Sequence, residues 1–395
     1  MPVINRIGDL SDDMKAWRRY LHANPELGFE CYKTSDFVKS KLKEFGVDEI
    51  HEGIAKTGVV AVIKGPGHGK TIALRADMDA LPLTEVRDHK YKSLTPGVMH
   101  ACGHDGHTAM LLGAARYLSE SRNFSGQVVL IFQPAEEGGG GAEVMCKEGI
   151  MERFKIDSIY GIHNDPGKPL GYVTTNKGPI MASADEFSIR VLGRGGHAAN
   201  PETSTDPIMI AIQLSQAIQT ISSRNLSALE RVVISITQIH GGTTHNIIPC
   251  EAFINGTVRT LSKSSQKLVL ERLEALCEGH AAAYNGEIKL DFQFGYPPTV
   301  NHSKETEFAA NVARQIVGSS NVNDNAEPIM AAEDFSFMIE KRPGAYLHFG
   351  QGKGPDVHNA LYDFNDDLSP IGASFLAKLV EESQPIKKTS VSDST

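Results

Sequence analysis

The sequence predicts an α/β protein with two domains. Short apolar runs rich in β-branched residues alternate with segments whose apolar residues recur at helical spacing, and this alternation is typical of a sheet flanked by helices. The chain has 395 residues, 41% of them hydrophobic, which is enough for a sizeable core and favours two domains over one. A change in the order of elements near residue 184 marks the expected boundary.

The first part of the chain alternates strands with helices. Strands are predicted at 58–64, 71–75, 127–132 and 158–162, and helices at 108–118 and 142–147. The turn GPGHGK joins the first two strands, which we expect to be neighbours in the sheet. This part of the chain therefore supplies the beginning of an α/β domain.

The middle of the chain has a different order, βαββαβ, which is that of a split βαβ or ferredoxin-like unit. Its strands are predicted at 186–192, 232–238, 253–259 and 287–294, and its helices at 207–222 and 264–283. Helices at 305–317, 333–339 and 369–382 follow, with a strand at 345–349. We therefore expect an inserted domain at 184–297 and a discontinuous first domain at 1–183 and 298–395, ending in a polar, disordered tail, 387–395.

Charge and cysteine usage exclude several classes of protein. The net charge of −9 provides no basic patch for nucleic acid or an anionic membrane. No apolar run reaches the roughly 18 residues that a membrane span requires, and the N-terminal segment lacks the apolar centre of a signal peptide. Five scattered cysteines, an odd number, argue against a disulfide framework. These features predict a cytoplasmic protein.

Two short segments contain residue types suited to metal chemistry. Residues 99–108 read MHACGHDGHT, which places Cys102 two positions before His104, and residues 134–142 read PAEEGGGGA, which places Glu136 beside Glu137. Thiolate, imidazole and carboxylate are ligands of transition metals, and a second carboxylate beside a ligand can serve as a general base. The sequence therefore predicts a metal-dependent hydrolase.

The candidate ligands follow predicted strands. The glutamate pair lies just after the strand at 127–132, His163 directly after the strand at 158–162, and His358 in a loop after the strand at 345–349. In α/β proteins such loops share one crevice at the carboxyl ends of the strands. We therefore expect these side chains to converge. Asp79, which follows another strand, is expected to orient a liganding histidine.

Other interpretations of these segments are weaker. Cys102 alone could be a small buried hydrophobic residue, but His104 and the glutamate pair favour a ligand. The glycines at 138–141 could suggest a phosphate loop, but no Lys-Ser or Lys-Thr follows them. They are expected to let the backbone approach the metals and to open a helix.

Nine segments together carry a family resemblance. In chain order they are RADMDALP, MHACGHDGHT, FQPAEEGGGGA, GIHN, GRGGHAANP, HNIIP, GTVRT, AAEDFS and VHNALYDFND. The chain resembles the cocatalytic metallo-amidohydrolases, which include hippurate hydrolases, aminoacylases and plant auxin-conjugate hydrolases. The resemblance spans nearly the whole chain. It implies a zinc-peptidase-like catalytic domain with a central mixed sheet and an inserted lid or dimerisation domain.

The resemblance also implies residue roles and cofactors. It assigns two divalent ions per subunit, with Cys102 as the bridging ligand and Glu136 as the base. The mixture of sulfur, nitrogen and oxygen ligands suits zinc, manganese, cobalt or nickel and leaves the choice among them open. The other implied metal ligands are His104, Glu137, His163 and His358. The implied substrate contacts are His197, Asn246 and Arg259, where an arginine suits a free carboxylate. A homodimer formed through the inserted domain is expected.

The predicted reaction is hydrolysis of the amide bond of N-acyl amino acids, hippurate-like or N-acetylated, to a carboxylic acid and a free amino acid. A dipeptidase or small carboxypeptidase with the same chemistry remains an alternative, as does a non-catalytic metal or amino-acid binding protein. The intact glutamate pair argues against the last of these. Asp165 and Glu202 depart from the family pattern and add negative charge near the expected cleft, and their effect on specificity stays open.

Overall fold

The computed structural model describes residues 3–386, so the tail predicted to be disordered lies outside the described residues. The chain divides into two compact units. The first runs up to Gly178 and includes Val300–Glu327 and the chain from Phe337 onward, whereas the second comprises Pro179–Thr299 and Pro328–Ser336. The second unit thus begins before the expected residue 184 and takes in a short segment that we had expected in the first domain.

The helices and strands are numbered along the chain. The helices are α1 Asn5–Asp9, α2 Ser11–Ala23, α3 Tyr32–Phe45, α4 His104–Ser121, α5 Gly141–Lys147, α6 Ile150–Arg153, α7 Pro207–Ile218, α8 Lys263–Tyr284, α9 Ser303–Val317, α10 Phe335–Ile339 and α11 Ser369–Ser383. The strands are β1 Glu49–Ile54, β2 Gly58–Lys64, β3 Thr71–Asp77, β4 Gln127–Gln133, β5 Ser158–Asp165, β6 Val173–Thr174, β7 Gly178–Met181, β8 Ala184–Leu192, β9 Gly196–His197, β10 Val232–Gly241, β11 Ile247–Ile248, β12 Glu251–Thr260, β13 Glu287–Tyr296, β14 Thr299–Asn301, β15 Val322–Asn323 and β16 Gly344–Gly350. No helix within 3–386 is long and apolar enough to cross a membrane.

The first unit is built on an eight-stranded mixed sheet in the order β1-β2-β4-β3-β5-β16-β6-β15, as predicted. The central strands β4, β3, β5 and β16 run parallel. Every residue of β3 and of β16 is buried, as expected for parallel strands that are covered on both faces. Helix α4 packs against β3, α2 and α11, and its apolar residues join the main core.

The expectation that the first two predicted strands are neighbours was wrong. Strand β4 lies between β2 and β3, antiparallel to β2 and parallel to β3. The intervening turn therefore spans two strand spacings, roughly 10 Å. It crosses the start of β4, where Gly65 N donates to Gly126 O at 2.8 Å and Gln127 N donates to Lys70 O at 3.0 Å.

Two elements extend further toward the candidate ligands than predicted. Helix α4 begins at His104 rather than at 108 because Gly103 adopts a positive φ of 97° that turns the chain into the helix, a conformation that costs glycine little. Strand β5 continues to Asp165 through pairing with β16. His163 is therefore inside the strand near its carboxyl end rather than in the loop after it.

The second unit contains a four-stranded antiparallel sheet in the order β10-β12-β8-β13. With α7 and α8 packed against it, the element order is the predicted βαββαβ. Strand β8 alternates buried and exposed residues, as expected of a sheet with one solvated face. The carboxylate of Asp206 accepts hydrogen bonds from the first backbone amides of α7, which explains where this helix starts.

Candidate metal centre

His104 is held in one orientation by the end of strand β3. Its Nδ1 donates to the backbone carbonyl of Asp79 at 2.9 Å, which leaves Nε2 as the atom with a free lone pair. Among the described residues Nε2 of His104 is buried and has no hydrogen-bond partner. A buried polar atom of this kind calls for an unseen partner, such as a metal ion.

Asp79 also holds the glutamate pair. Its Oδ1 accepts from the backbone N of Glu136 at 2.9 Å, and its Oδ2 accepts from the backbone N of Glu137 at 3.0 Å. The carboxylate of Asp79 therefore positions the glutamate loop, whereas its carbonyl oxygen positions His104. The sequence had suggested the histidine contact alone.

The glycines after the glutamate pair close a tight loop. Gly141 N donates to Ala135 O at 2.9 Å, and a Cβ on Gly141 would lie 1.7 Å from the carbonyl oxygen of Pro134. Gly141 also begins α5, as predicted for a glycine run that opens a helix. Gly141 therefore allows a close approach between two parts of the glutamate loop.

His163 and His358 reach the same place from distant parts of the first unit. Nδ1 of His163 donates to Asn164 O at 2.7 Å, so its Nε2 faces Cys102 Sγ at 3.4 Å. His358 has a positive φ of 60°, which is uncommon outside glycine, and its backbone N donates to Ala101 O at 2.7 Å. That hydrogen bond ties the loop of His358 to the segment that carries Cys102.

The predicted ligand atoms form two groups that share Cys102. One group joins it to His104 and His163, the other joins it to Glu137 and His358, and within each group the ligand atoms lie within 4.8 Å of one another. Nε2 of His358 lies 3.1 Å from Oε1 of Glu137, which is nevertheless without a hydrogen bond among the described residues. Two groups of thiolate, imidazole and carboxylate ligand atoms that share one sulfur fit a pair of divalent cations.

The electrostatics of the centre suit cations. The neighbouring Cys102 and Glu137 side chains raise the pKa of His358 to about 10. Burial lowers the pKa of His163 well below its usual value, so this ring is neutral and offers a lone pair. Burial also raises the pKa of the Cys102 thiol, and a bound cation is what would deprotonate it.

Glu136 forms a further group with one member of each of the two groups, His104 and Glu137. It is 7% exposed, and one of its carboxylate oxygens lies within 4.8 Å of the ligand atoms of His104 and Glu137. It belongs to neither of the two groups that contain Cys102. A carboxylate beside the ligands but outside both groups is suitably placed for proton transfer.

The structure adds a buried support that the sequence had not indicated. His107 places Nδ1 2.6 Å from Asp77 Oδ1 and Nε2 2.7 Å from Asn164 Oδ1, and Arg75 donates to Asp77 at 2.7 Å. Both ring nitrogens of His107 are thus engaged, which argues against its being a ligand. Its position three residues after His104, on the same face of a helix, is the signal that could have revealed it.

The predicted substrate residues lie in the second unit. His197 pairs with Ile247 in the two-stranded ladder of β9 and β11, and Asn246 O accepts from Ala198 N at 3.1 Å. His197 and Asn246 are therefore brought together, and both are exposed. Arg259 lies separately on β12 in the four-stranded sheet.

The two departures from the family pattern lie in different units. Asp165 ends β5 in the first unit, where burial raises its pKa. Glu202, in the second unit, lies in a short 3₁₀ turn at Pro201–Thr203 and is exposed.

Comparison with known proteins identifies the family of this chain. The model of the family described as Peptidase family M20/M25/M40 matches residues 73–382. The chain belongs to this family. It is therefore a hydrolase that acts on amide bonds, and the M20 assignment confirms the resemblance inferred from the nine segments.

Several known proteins are similar to this chain over nearly their whole length. A hippurate hydrolase from Campylobacter jejuni is 45% identical over 96% of this chain and 98% of that protein. A thermostable carboxypeptidase from Saccharolobus solfataricus is 40% identical over 93% and 95%. The crystal structure of a dinuclear metal binding peptidase of the M20 family from Bacillus subtilis superposes with a TM-score of 0.84 at 33% identity, over 94% and 98%. These similarities support a centre for two divalent metal ions.

Proposed function

We propose that this M20 protein hydrolyses the amide bond of N-acyl amino acids to a carboxylic acid and a free amino acid. The observation that carries the proposal is the pair of three-residue ligand groups that share Cys102 and lie beside Glu136. The similarity to a hippurate hydrolase supports the choice of an N-acyl amino acid as substrate.

Five side chains would hold the two metal ions. One ion would be held by Cys102 with His104 and His163, and the other by Cys102 with Glu137 and His358. When bound, the ions supply Lewis-acid polarisation of the amide carbonyl and a lowered pKa for water. Zinc, manganese, cobalt and nickel all suit this mixture of sulfur, nitrogen and oxygen ligands.

Glu136 serves as base and then as acid. Its carboxylate accepts the proton of the attacking water, and the same proton then passes to the leaving amine. The backbone amide of Glu136 is anchored by Asp79 at 2.9 Å, so the main chain at this residue is held while the proton moves. Preorganisation of this kind lowers the barrier because the group need not be reoriented during the reaction.

His197, Asn246 and Arg259 are proposed as substrate contacts from the second unit. Nδ1 of His197 accepts a hydrogen bond from Ala199 N at 3.0 Å. In the tautomer that this bond requires, Nε2 carries the hydrogen and can donate it to a carbonyl or carboxylate oxygen. Arg259 supplies the planar fork that a free carboxylate prefers. These roles predict tighter binding of substrates with a free α-carboxylate.

A dipeptidase or carboxypeptidase activity is the second candidate because a carboxypeptidase is among the similar proteins, at 40% identity. The same centre would attack a peptide bond next to a C-terminal carboxylate. The two candidates differ in the group on the far side of the scissile amide, which is an acyl chain in one and an aminoacyl residue in the other.

A substrate panel separates these functions. Apoprotein is reloaded with one metal at a time and assayed with N-benzoylglycine, N-acetyl amino acids and dipeptides of matched side chain. We expect higher kcat/KM on the N-acyl compounds. Faster cleavage of the dipeptides would favour the peptidase, and binding of metal without turnover on any member would favour the non-catalytic alternative.

We also propose a cytoplasmic homodimer. All five cysteines lie within the described residues and none of them forms a disulfide there, which fits a reducing compartment. The dimer is expected to form through the second unit, and the molar mass in solution tests it. A monomeric mass at full activity would contradict it.

A further inference from the structure

A second group of metal-ligand side chains lies in the first unit outside the proposed centre. His22 from α2 meets Glu85 and His89 from the segment that follows β3, and their three ligand atoms lie within 4.8 Å of one another. His22 and Glu85 are buried, whereas the side chain of His89 is 13% exposed. The group is therefore largely buried, and His89 is its most exposed member.

The approach of His89 to Glu85 is not that of a hydrogen bond. Nε2 of His89 lies 2.9 Å from Oε1 of Glu85, yet neither ring nitrogen of His89 has a hydrogen-bond partner among the described residues, although both atoms are buried. The pair His358 and Glu137 shows the same close but unbonded contact in the proposed centre. Such contacts arise when ligand atoms point at a common third position.

His22 and Glu85 have hydrogen-bond partners of the kind found around zinc ligands in proteins. Nδ1 of His22 lies 2.7 Å from Asp105 Oδ2, and Ser93 N donates to Glu85 Oε2 at 2.7 Å. A histidine whose second nitrogen is fixed by a carboxylate is the usual arrangement at zinc. Nε2 of His22 is hydrogen-bonded to Glu85 Oε1 at 3.2 Å. Because Glu85 is itself a candidate ligand, a metal ion between these two atoms would replace that hydrogen bond.

The charge of Arg18, which lies beside Asp105, is balanced by carboxylates outside the group. Arg18 is 3.8 Å from Asp105, and its charge is balanced by Asp363 at 3.1 Å and Asp366 at 2.7 Å. Within residues 3–386, the ion-pair partners of Glu85 are the two histidines rather than an arginine or a lysine. A divalent cation would balance its buried charge.

We propose that His22, Glu85 and His89 bind a third divalent ion, Zn²⁺, separate from the catalytic pair. Two imidazoles and one carboxylate are a known zinc ligand set, to which a water molecule would add a fourth ligand. The ion joins α2 to the segment 85–93. Through Asp105 it also abuts the first turn of α4, which carries His104.

Anomalous diffraction at the zinc edge tests the proposal directly. Crystals of the wild-type full-length protein, loaded with stoichiometric Zn²⁺ and then dialysed, are expected to show a peak between His22, Glu85 and His89 in addition to the peaks at Cys102. Peaks confined to the Cys102 centre would overturn the proposal and assign the second group to a hydrogen-bond network.

Zinc content provides an independent measurement. The wild type is expected to retain three equivalents per chain after dialysis, and Glu85→Gln and His89→Gln two each. Cys102→Ser removes a proposed ligand of the catalytic centre. This variant should still retain the zinc ion bound by His22, Glu85 and His89. The control His51→Ala removes a histidine that faces only one carboxylate, Glu49 at 3.1 Å, and should retain all three. Equal zinc content in the wild type and in both glutamine variants would contradict the third site.

Discussion

At the scale of single residues, one carboxylate organises the proposed centre. Asp79 is 1% exposed, and it accepts from the amides of Glu136 and Glu137 while its carbonyl oxygen accepts from His104. Three side chains with separate roles therefore depend on the position of one residue. A short shift of Asp79 would move a ligand from each group and the base together.

Replacing Asp79 by Asn tests this dependence. The amide keeps one acceptor oxygen, so one of the two glutamate amides loses its partner, at a cost of about 1–3 kcal/mol. Metal affinity is expected to fall by about 10–100-fold, measured by competition with a chelating dye. Asp157→Asn is the control because Asp157 also accepts a backbone N–H, from Thr71 at 2.8 Å, but belongs to neither metal-ligand group of the proposed centre. Unchanged affinity in Asp79→Asn would refute the dependence.

Replacing Glu136 by Gln tests the proton transfer. The amide cannot accept the proton of water, so kcat is expected to fall by at least about 10²-fold while metal content stays at the wild-type value. Glu143→Gln, in an exposed pair with Lys147 at 2.7 Å, should leave kcat unchanged. Retained turnover in the Glu136 variant would refute its role, and loss of metal would identify Glu136 as a ligand instead.

At the scale of elements, α4 carries both His104 and His107 and packs closely against Phe364. A Cβ on Gly106 would lie 2.3–2.5 Å from ring atoms of Phe364, and Phe364 is itself buried. Glycine weakens a helix by about 1 kcal/mol relative to alanine. Its presence in the first turns of α4 is explained by this contact.

Gly106→Ala is therefore expected to destabilise the protein despite the better helix former. Overpacking costs about 1–3 kcal/mol, which outweighs the gain in helix propensity. In α8, a Cβ on Gly279 would have no neighbouring atom within 4 Å, so Gly279→Ala should stabilise by about 0.5–1 kcal/mol. Urea unfolding of both variants compares them. A stabilised Gly106→Ala would show that Phe364 yields without cost.

At the scale of the whole molecule, the proposed ligands join parts of the chain that are far apart in sequence. Cys102, Glu137 and His358 span more than half of the chain, and all lie in the first unit. A ligand that binds only the folded state stabilises it by mass action. Bound metal should therefore hold the fold together as well as supply the chemistry.

Removal of metal tests this coupling. At a free metal concentration of 100 Kd, each site adds about 2.7 kcal/mol, so chelation is expected to lower the Tm of the wild type by several degrees and to abolish turnover. Calorimetry of Cys102→Ser should show a smaller shift on chelation. Equal shifts in the two proteins would mean that the Cys102 centre contributes little stability.

The sequence alone supported the fold class, most of the central strands and the candidate ligands. Residue chemistry and hydrophobic period are local properties, so β2 and the βαββαβ order follow from short windows of sequence. The N-terminal helices α1 to α3 and the edge strand β1 were not predicted. Candidate roles for Cys102 and Glu137 followed from residue type and from loops at strand ends.

Tertiary structure alone decided which distant parts meet. It placed β4 between β2 and β3, engaged both nitrogens of His107, and used the carboxylate of Asp79 to hold the glutamate loop. These outcomes depend on contacts between residues 30 or more positions apart, which no local period encodes. The sequence by itself determined the chemical kinds of side chain available to this centre, and the long-range packing decided which of their atoms face one another.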